Sequence, residues 1–261
     1  PAHHRGHHCS GAPLGTDPVN HIVVCGYDET THLLLSALRT ELNLEETRVV
    51  LFDSHDRPRT LPPEFLWVRG DPTKQSELDK VRLTHAAAVI VAGDRTAPPQ
   101  KADATTILTV FTIRAHLRLR HEEVQHRIAP LYIVAEVLDS ENVEHARSAG
   151  ADEVVETRRL GSAMLAHAIR FHGAADVMSG VLLHGTHNIY LGGIPEEYRS
   201  MESFGDLMAA MRLTSLGALV IGVRFADGTE AINPSKDTRL PPSTRLIYLA
   251  EQPILPVPGG R

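Results

Sequence analysis

The chain has 261 residues, of which 42% are apolar and 22% are charged, and its formal net charge is −6 at pH 7. This length suits one large domain or two small ones, and the ordinary composition excludes a disordered chain. The acidic balance argues against a nucleic-acid-binding surface, and no run approaches about 18 consecutive apolar residues, so no membrane-spanning helix is expected. The only cysteines are Cys9 and Cys25, which excludes a disulfide framework and favours a cytosolic protein.

Short apolar runs alternate with helical patterns in the N-terminal half. The runs predict strands at 21–26, 48–53, 65–68, 86–93, 131–136 and 152–156. The spacing of apolar residues predicts helices at 30–42, 101–120 and 141–149, the last of which ends at Gly150. Because apolar strands that alternate with helices form a parallel sheet covered on both faces, residues 21–157 are predicted to be an α/β domain with a Rossmann-like, doubly wound parallel sheet.

A different pattern follows residue 157. A helix is predicted at 158–172, and its apolar stripe, which belongs either to the core or to a partner-facing surface, consists of Leu160, Met164, Ala168 and Phe171. Further strands are predicted at 188–194, 218–225, 230–233 and 245–250, with one helix at 204–212. These elements predict a small α+β C-terminal module. The expected organisation is a linker or arm at 1–20, the doubly wound domain at 21–157, connecting helices at 158–187, the module at 188–252 and a tail at 253–261.

Ligands of open α/β sheets bind beyond the carboxyl ends of the strands. The candidate ligand-binding residues at these ends are Gly26, Tyr27, Asp28, Asp53, Asp71, Gly93, Asp94 and Glu136. The turn after the first strand keeps only the first glycine of a G-x-G-x-x-G phosphate-binding motif, because Asp28 and Thr31 replace the other two. NAD is therefore expected to bind weakly or not at all. An adenine nucleotide could still use Asp53, which stands where dinucleotide-binding domains hold a ribose hydroxyl.

Acidic residues gather at the same edge of the predicted sheet. They are Asp28, Glu29, Asp53, Asp71, Asp94 and Glu136. Converging carboxylates would repel one another and suit a divalent cation such as calcium, whereas the alternative is that each is a separate loop acid. We expect at most a weak divalent site at Asp94 and Glu136, with a dissociation constant of roughly 10⁻⁴–10⁻³ M. Asp71 is followed by Pro72, which also predicts that Asp71 caps a helix beginning at Pro72.

The sequence offers no catalytic motif. His121 and His126 are five residues apart, so they do not match the spacing of a zinc-binding H-E-x-x-H helix. A histidine-rich stretch at 3–9 could chelate zinc or nickel only weakly, because a flexible arm does not fix its ligands. Cys25 is expected to be buried and inert. Without a G-x-S-x-G elbow, a P-loop, a C-x-x-C pair or a nucleophile with its base, the protein is not expected to be an enzyme.

Several segments together resemble the RCK family, the regulators of K⁺ conductance with TrkA-N and TrkA-C parts. The first part carries HIVVCGYDETT, VRGDPTKQSEL, HAAAVIVAG, ADATTILTVFTIR and IVAEVLDSENVEHARSAGADEVVE, and the second carries GALVIGVRFADGTEAINP and TRLIYLAE. The resemblance covers about residues 21–252. It implies a ligand-sensing cytoplasmic domain that dimerises and assembles into a gating ring beneath a tetrameric potassium pore. It also implies that the helix at 158–172 crosses over to a partner subunit.

The resemblance leaves the ligand open. Members of this family respond to calcium, NAD(H), adenine nucleotides or cyclic dinucleotides, so a divalent cation and an adenine nucleotide both remain candidates here. For the calcium-gated members, the resemblance implies three acidic ligands at positions that are Ala92, Glu136 and Leu138 in this chain. Of these three positions, only Glu136 therefore carries an acidic side chain.

We therefore expect the ring-forming domain of a bacterial potassium channel, located at the cytoplasmic face of the membrane. An upstream pore linker would enter the first strand at 19–21, and the proline-rich stretch at 54–64, where many members have a second helix, favours a channel over a transporter subunit. The expected partners are further copies of the chain, the pore domain and a small-molecule or ion ligand, but no nucleic acid. The alternatives are a peripheral subunit of a Trk- or Ktr-type transporter and, in another class, an NAD-dependent oxidoreductase, which would need an intact phosphate cradle.

Overall fold

A six-stranded parallel sheet organises the N-terminal part of the chain. The computed structural model describes residues 20–125, 127, 129–183, 187–211 and 217–256. The strands are β1 (Ile22–Cys25), β2 (Val49–Asp53), β3 (Leu66–Arg69), β4 (Ala88–Val91), β5 (Tyr132–Val137) and β6 (Glu153–Glu156). They lie in the order β3-β2-β1-β4-β5-β6, and every neighbouring pair is parallel. This order confirms the Rossmann-like, doubly wound fold and places a crevice where the carboxyl ends of β1 and β4 meet.

Helices cover both faces of this sheet. They are α1 (Thr31–Glu41) on one face and α2 (Pro99–Leu119) and α4 (Val143–Ala149) on the other. Two further helices are α3 (His121–Val124), directly after α2, and α5 (Thr157–Arg170), which has no buried residue. Consecutive residues of β1 enter different hydrophobic clusters: Val23 packs with Val110 of α2, whereas Val24 packs with Leu35 of α1. The alternation follows from the two-residue period of a strand, and it explains why these strands are apolar throughout.

The predicted end of α4 is confirmed. Gly150 has a φ of 112°, and its backbone N–H reaches the carbonyl oxygens of Ala146 and Arg147. This left-handed conformation favours glycine and ends the helix at Ala149.

The prediction that Asp71 caps a helix is wrong. Its Oδ1 accepts hydrogen bonds from the backbone N–H of Thr73 at 3.0 Å and from the Thr73 hydroxyl at 2.6 Å, which closes a local turn. The helix that follows is a 3₁₀-helix at Gln75–Val81, four residues further on. An aspartate can satisfy a turn as readily as a helix start, and here the local turn prevails.

The proline-rich segment between β2 and β3 contains no helix. Residues 54–64, all of which the structure describes, form turns and irregular backbone. This agrees with the expectation that prolines replace a second helix there, because a proline cannot donate the hydrogen bond that a helix interior needs.

The second part of the chain has its own four-stranded antiparallel sheet. Its elements are α6 (Ala174–Leu183), β7 (Asn188–Gly193), α7 (Phe204–Met211), β8 (Leu219–Arg224), β9 (Glu230–Ile232) and β10 (Arg245–Ala250). The strand order is β7-β10-β8-β9, and a core that includes Leu207, Val223 and Tyr248 joins α7 to the sheet. The small α+β module is thereby confirmed.

The chain divides into two units, 1–167 and 168–261. This division lies inside the predicted connecting segment at 158–187. Residues 1–19 of the predicted arm, 184–186 of the connecting segment and 257–261 of the predicted tail lie outside the described residues. Among the helices that the structure describes, none combines the length and apolar character needed to cross a bilayer.

Candidate functional site

The turn after β1 lies against the loop that follows β4. Gly26 has a φ of 91°, and a Cβ there would come within 2.8 Å of the carbonyl oxygen of Ala92, so this position requires glycine. The next residue, Tyr27, donates its backbone N–H to Oδ2 of Asp53 at 3.0 Å. The structure therefore brings the predicted ligand-binding residues Gly26, Tyr27 and Asp53 to one edge of the sheet.

Arg95, in the loop between β4 and α2, lies between two buried carboxylates. Its Nη1 is 3.4 Å from Oδ2 of Asp28, and its Nη2 is 2.8 Å from Oε1 of Glu136. The side chains of the two acids are only 4% and 6% exposed. Burying a carboxylate costs free energy unless a positive charge accompanies it. Arg95 supplies from within the chain the charge that these acids would otherwise take from a cation.

Glu136 connects this loop to the start of α5. Its Oε2 accepts a hydrogen bond from the backbone N–H of Gly93 at 2.9 Å. Its Oε1 accepts hydrogen bonds from Nε of Arg95 at 2.9 Å and from the hydroxyl of Thr157 at 2.6 Å. Thr157 is the first residue of α5. One carboxylate thus joins the loop after β4 to the helix that leads out of the first unit.

Asp28 occupies the start of α1. Its Oδ1 accepts hydrogen bonds from the backbone N–H of Thr30 at 2.8 Å and from the Thr30 hydroxyl at 2.7 Å, and its Oδ2 accepts one from the backbone N–H of Arg95 at 3.1 Å. Burial acts to raise the pKa of Asp28, but these hydrogen bonds and the charge of Arg95 outweigh it and lower the pKa below its usual value. A carboxylate therefore stands at the helix N-terminus, where a bound pyrophosphate would lie.

The remaining acids at this edge have partners of their own. Oδ1 of Asp53 accepts a hydrogen bond from the backbone N–H of His55 at 2.8 Å and lies 2.6 Å from the Nδ1 of that ring. Oδ2 of Asp71 lies 3.6 Å from Nζ of Lys74. Separate donors and cations, including Arg95, therefore lie beside these carboxylates, which offsets repulsion between them and favours the alternative of separate loop acids.

The predicted divalent site at Asp94 and Glu136 has competing contacts. Oδ1 of the exposed Asp94 accepts hydrogen bonds from the backbone N–H of Thr96 at 2.9 Å and from its hydroxyl at 2.6 Å, whereas Glu136 is held by Arg95 and Thr157. Within the described ranges, no group of three or more His, Cys, Asp or Glu side chains is arranged to hold a metal ion. The weak site stays a prediction, and a cation there would have to compete with Arg95.

A small cleft of about 190 Å³ lies in the crevice beside β1. Its lining includes Asp53, His55, Asp71, Thr73, Asp94, Lys101, Thr105 and Thr106. The volume is below the range of about 300–1,000 Å³ that is typical of pockets for drug-sized ligands, so the cleft suits a small polar or ionic ligand better than a whole dinucleotide. Cys25 also borders the cleft, but burial and the charge of Asp53 raise its pKa to about 12, so the thiol is inert as expected.

A larger cavity of about 1030 Å³ adjoins this cleft. It lies between α1 and the proline-rich segment, and its lining includes Leu35, Pro58 and Phe65. Tyr27 and His55 line both cavities. An adenine nucleotide that used Asp53 would therefore have an apolar and aromatic surface beside it, although the N-terminus of α1 is already occupied by a carboxylate.

The connecting helix α5 exposes its apolar side chains. Of the predicted stripe, Leu160 is 58% exposed and Phe171, just beyond the helix, is 48% exposed, whereas Met164 and Ala168 are half-buried. Leu165 and Ile169, which the stripe does not include, are 73% and 81% exposed. No residue of α5 is buried within this chain. The stripe therefore does not belong to a core formed by the described residues.

Arg95 is the residue of the candidate site that sequence reasoning missed. It directly follows the predicted ligand-binding residues Gly93 and Asp94. The prediction at this strand end rested only on glycines and acidic residues. The feature that could have indicated Arg95 is that it is a single basic residue in a strand-end loop, while the other strand ends carry acidic residues. Of the histidine pair, His121 lies in the four-residue helix α3, whereas His126 lies outside the described residues.

Comparisons with known proteins identify relatives among potassium channels. Residues 17–133 match the sequence profile of the calcium-activated potassium channel slowpoke-like RCK domain. The calcium-gated potassium channel TvoK of Thermoplasma volcanium is 28% identical over 160 residues, which is 60% of this chain and 42% of TvoK. YugO of Bacillus subtilis, named as a candidate potassium channel protein, is 25% identical over 182 residues, 69% of this chain and 51% of YugO.

The fold of the chain also matches that of a solved gating ring. The human SLO3 gating ring aligns with a TM-score of 0.65 and 16% identity, covering 89% of this chain and 44% of the SLO3 chain. The resemblance to RCK domains of potassium channels is therefore confirmed by homology and by fold. The chain spans about half the length of the curated relatives that it matches.

Proposed function

Because the chain is homologous to RCK domains, we propose that it is the ligand-sensing gating domain of a potassium channel, held at the cytoplasmic face of the membrane. The matches to slowpoke-like RCK domains and to TvoK support this function. The ligand would bind in the crevice at the carboxyl ends of β1 and β4, as open α/β sheets generally bind their ligands.

One observation carries the proposal, namely the contact path from the crevice to α5. Arg95 pairs with Asp28 at the first turn and with Glu136, and Glu136 in turn accepts the hydroxyl of Thr157. A ligand that drew Arg95 or the first turn away would leave Glu136 with fewer donors. The start of α5 would then lose the contact that fixes it to the sheet.

The mechanism would be a shift between two populations. A ligand shifts an equilibrium only by the difference between its affinities for the two states, and coupling energies of about 1–3 kcal/mol are typical. Here the two states would differ in whether the Arg95–Glu136–Thr157 path is closed. The helix α5 would carry the difference toward the neighbouring subunits and the pore.

The exposed apolar side chains of α5 and of Phe171, just beyond it, support self-association. Leu160, Leu165, Ile169 and Phe171 are each about half exposed or more within a single chain. Apolar side chains in such number on one helix are typical of an interface. We therefore propose that two copies pair through this helix and that the pairs assemble into a ring.

The oxidoreductase alternative has no comparable support. Asp28 stands at the N-terminus of α1, where the pyrophosphate of a dinucleotide would need free N–H groups. The relatives reported above are named for channels.

The test is potassium flux through proteoliposomes that contain the full-length protein with its own upstream segment. Thr157→Val keeps the shape of the side chain but removes the hydroxyl that Glu136 accepts, and we expect the flux without added ligand to change about fivefold or more. Thr157→Ser should restore the native flux. Thr229→Val, which removes the hydroxyl that Asp227 accepts in an exposed turn of the second unit, should have no effect. Absence of potassium flux from the native protein would refute the proposed function, and equal flux from native protein and Thr157→Val would refute the path.

A further inference from the structure

The second unit contains a cavity of about 1050 Å³ at one end of its antiparallel sheet. The end of β7, residues 199–202 and the loop 239–244 leading into β10 form its walls. This cavity belongs to a different unit from the crevice beside β1. It plays no part in the proposed path to α5.

Three arginines from three segments line the cavity, namely Arg199, Arg239 and Arg245. Arg245 is the first residue of β10, and its register partner on β7 is Gly193, which has no side chain to cover it. Across the described residues, the side chains of Arg239 and Arg245 have no hydrogen bond or ion pair. Arg199 reaches only Glu196, at 3.9 Å, and both of these side chains are mostly exposed. Most guanidinium donors around the cavity are therefore unused.

The charge at this cavity differs from that of the whole chain. The chain carries a net charge of −6, whereas the cavity has three arginines and one acid, Glu202, in its lining. No ion pair joins Glu202 to any of the three arginines in the described part of the chain. Positive charges gathered around one cavity raise the local concentration of anions.

The rest of the lining suits a ligand with an organic body. Ile194, Met201 and Leu240 present carbon surface, and Pro241 and Pro242 restrict the backbone of the loop beside Arg245. The volume lies at the upper end of the range of about 300–1,000 Å³ that is usual for small-molecule pockets, so there is room for more than one anionic group.

We propose that this cavity binds a phosphorylated organic anion through Arg199, Arg239 and Arg245. The planar fork of a guanidinium group donates two parallel hydrogen bonds to the oxygens of a phosphate. A phosphate has oxygens in several directions, so one group can accept from arginines on different walls, which a flat carboxylate cannot do as well. Such an anion has two sources, a soluble phosphorylated metabolite or the headgroup of an anionic phospholipid.

The experiment has two arms, each with the native full chain and with the double variant Arg239→Gln and Arg245→Gln. The first arm is a calorimetric titration with inorganic pyrophosphate. The second is co-sedimentation with phosphatidylcholine vesicles that contain about 30 mol% phosphatidylglycerol, an anionic lipid. The matched control is Arg224→Gln, since Arg224 is the register partner of Arg245 on β8 but already pairs with Glu230 and does not line the cavity.

We expect the native chain to bind in at least one arm. The double variant should weaken that binding about tenfold or more, because each arginine supplies a charge-assisted hydrogen bond, and Arg224→Gln should change it less than twofold. Loss confined to the pyrophosphate arm would identify a soluble ligand, and loss confined to the vesicle arm would identify a lipid headgroup. Binding in neither arm, or equal binding by the native chain and the double variant, would overturn the proposal. The replaced arginines are exposed, so folding of the double variant is verified by its unchanged thermal melt.

Discussion

Nη2 of Arg95 lies 2.8 Å from Oε1 of Glu136, in a pair whose acid side chain is only 6% exposed. The two residues are 41 positions apart in the chain, and Asp28, the second acid at the same guanidinium, is 67 positions from Arg95. The pair places a positive charge beside two of the acids that follow or end the strands of the sheet. In the proposed mechanism, Arg95 is the residue through which a ligand in the crevice would act on α5.

Replacing Arg95 should destabilise the first unit strongly. Arg95→Gln leaves the carboxylates of Asp28 and Glu136 buried without their cation, and we expect a loss of about 3–5 kcal/mol in the free energy of unfolding. Urea denaturation measures this loss. Arg159→Gln, which breaks the exposed pair with Glu156, should cost at most about 1 kcal/mol. Similar unfolding free energies for both variants would show that the Arg95 bridge contributes little.

The chain should bind NAD weakly. Asp28 and Thr31 replace two glycines of the phosphate-binding motif, and the Asp28 carboxylate already accepts the N–H of Thr30. We expect a dissociation constant of about 1 mM or weaker by calorimetry. A low-micromolar constant that Asp53→Ala abolishes would contradict this interpretation of the first turn.

Calcium should have little effect on the native chain. A site with a dissociation constant of about 1 mM would add about 1 kcal/mol at 5 mM calcium, which corresponds to a rise of about 2–4 °C in the melting temperature. Because Arg95 already holds Glu136, we expect a smaller rise than this in a thermal melt. A larger rise that Asp94→Asn and Glu136→Gln remove would establish the divalent site, and one that both variants retain would place the cation elsewhere.

Charged substitutions on α5 should dissociate the oligomer. Leu160→Glu and Met164→Glu together would bury two carboxylates in an apolar interface, so we expect monomers in sedimentation velocity at tens of micromolar, where the native chain forms at least dimers. The matched control is Ala163→Glu with Ala166→Glu, which places two charges about one turn apart on the side of the helix that carries Arg159 and Arg170. A monomeric native chain would contradict the proposed pairing.

Stability should fall as the solution is acidified through pH 6.5. His116 of α2 is 2% exposed, and burial lowers its pKa below the ordinary value of 6.5, although the charge of Asp79 opposes the shift. The unfolded chain therefore takes up a proton near pH 6.5 that the folded chain resists, so the contribution of the neutral ring is complete above pH 6.5 and is lost below it. Urea denaturation at pH 7.5 and 5.5 measures the difference.

The variant His116→Gln should reduce the change in the free energy of unfolding between pH 7.5 and 5.5, because the side chain no longer titrates. His145→Gln is the control, since His145 is exposed on α4. If the two variants showed the same change between pH 7.5 and 5.5, His116 would not be its source.

The local pattern of the sequence was sufficient for the elements of the fold. The apolar runs before Gly26 and Gly93 form β1 and β4, and Gly150 ends α4, because strand and helix periods and a left-handed glycine depend only on near neighbours. The loss of two glycines from the phosphate-binding motif was also visible in the sequence. The wrong prediction that Asp71 caps a helix also had a local cause. An aspartate carboxylate can accept the N–H groups of a local turn as well as those of a helix start.

The pairing of charges was decided only by the tertiary structure. Asp28 follows β1, Arg95 follows β4 and Glu136 lies within β5. They meet because the strand order places these three strands side by side. The arginines of the second cavity likewise come together from three separate segments. A sequence shows which charges exist but not which are neighbours, because Coulomb energy and burial depend on distances in space and not on separation along the chain.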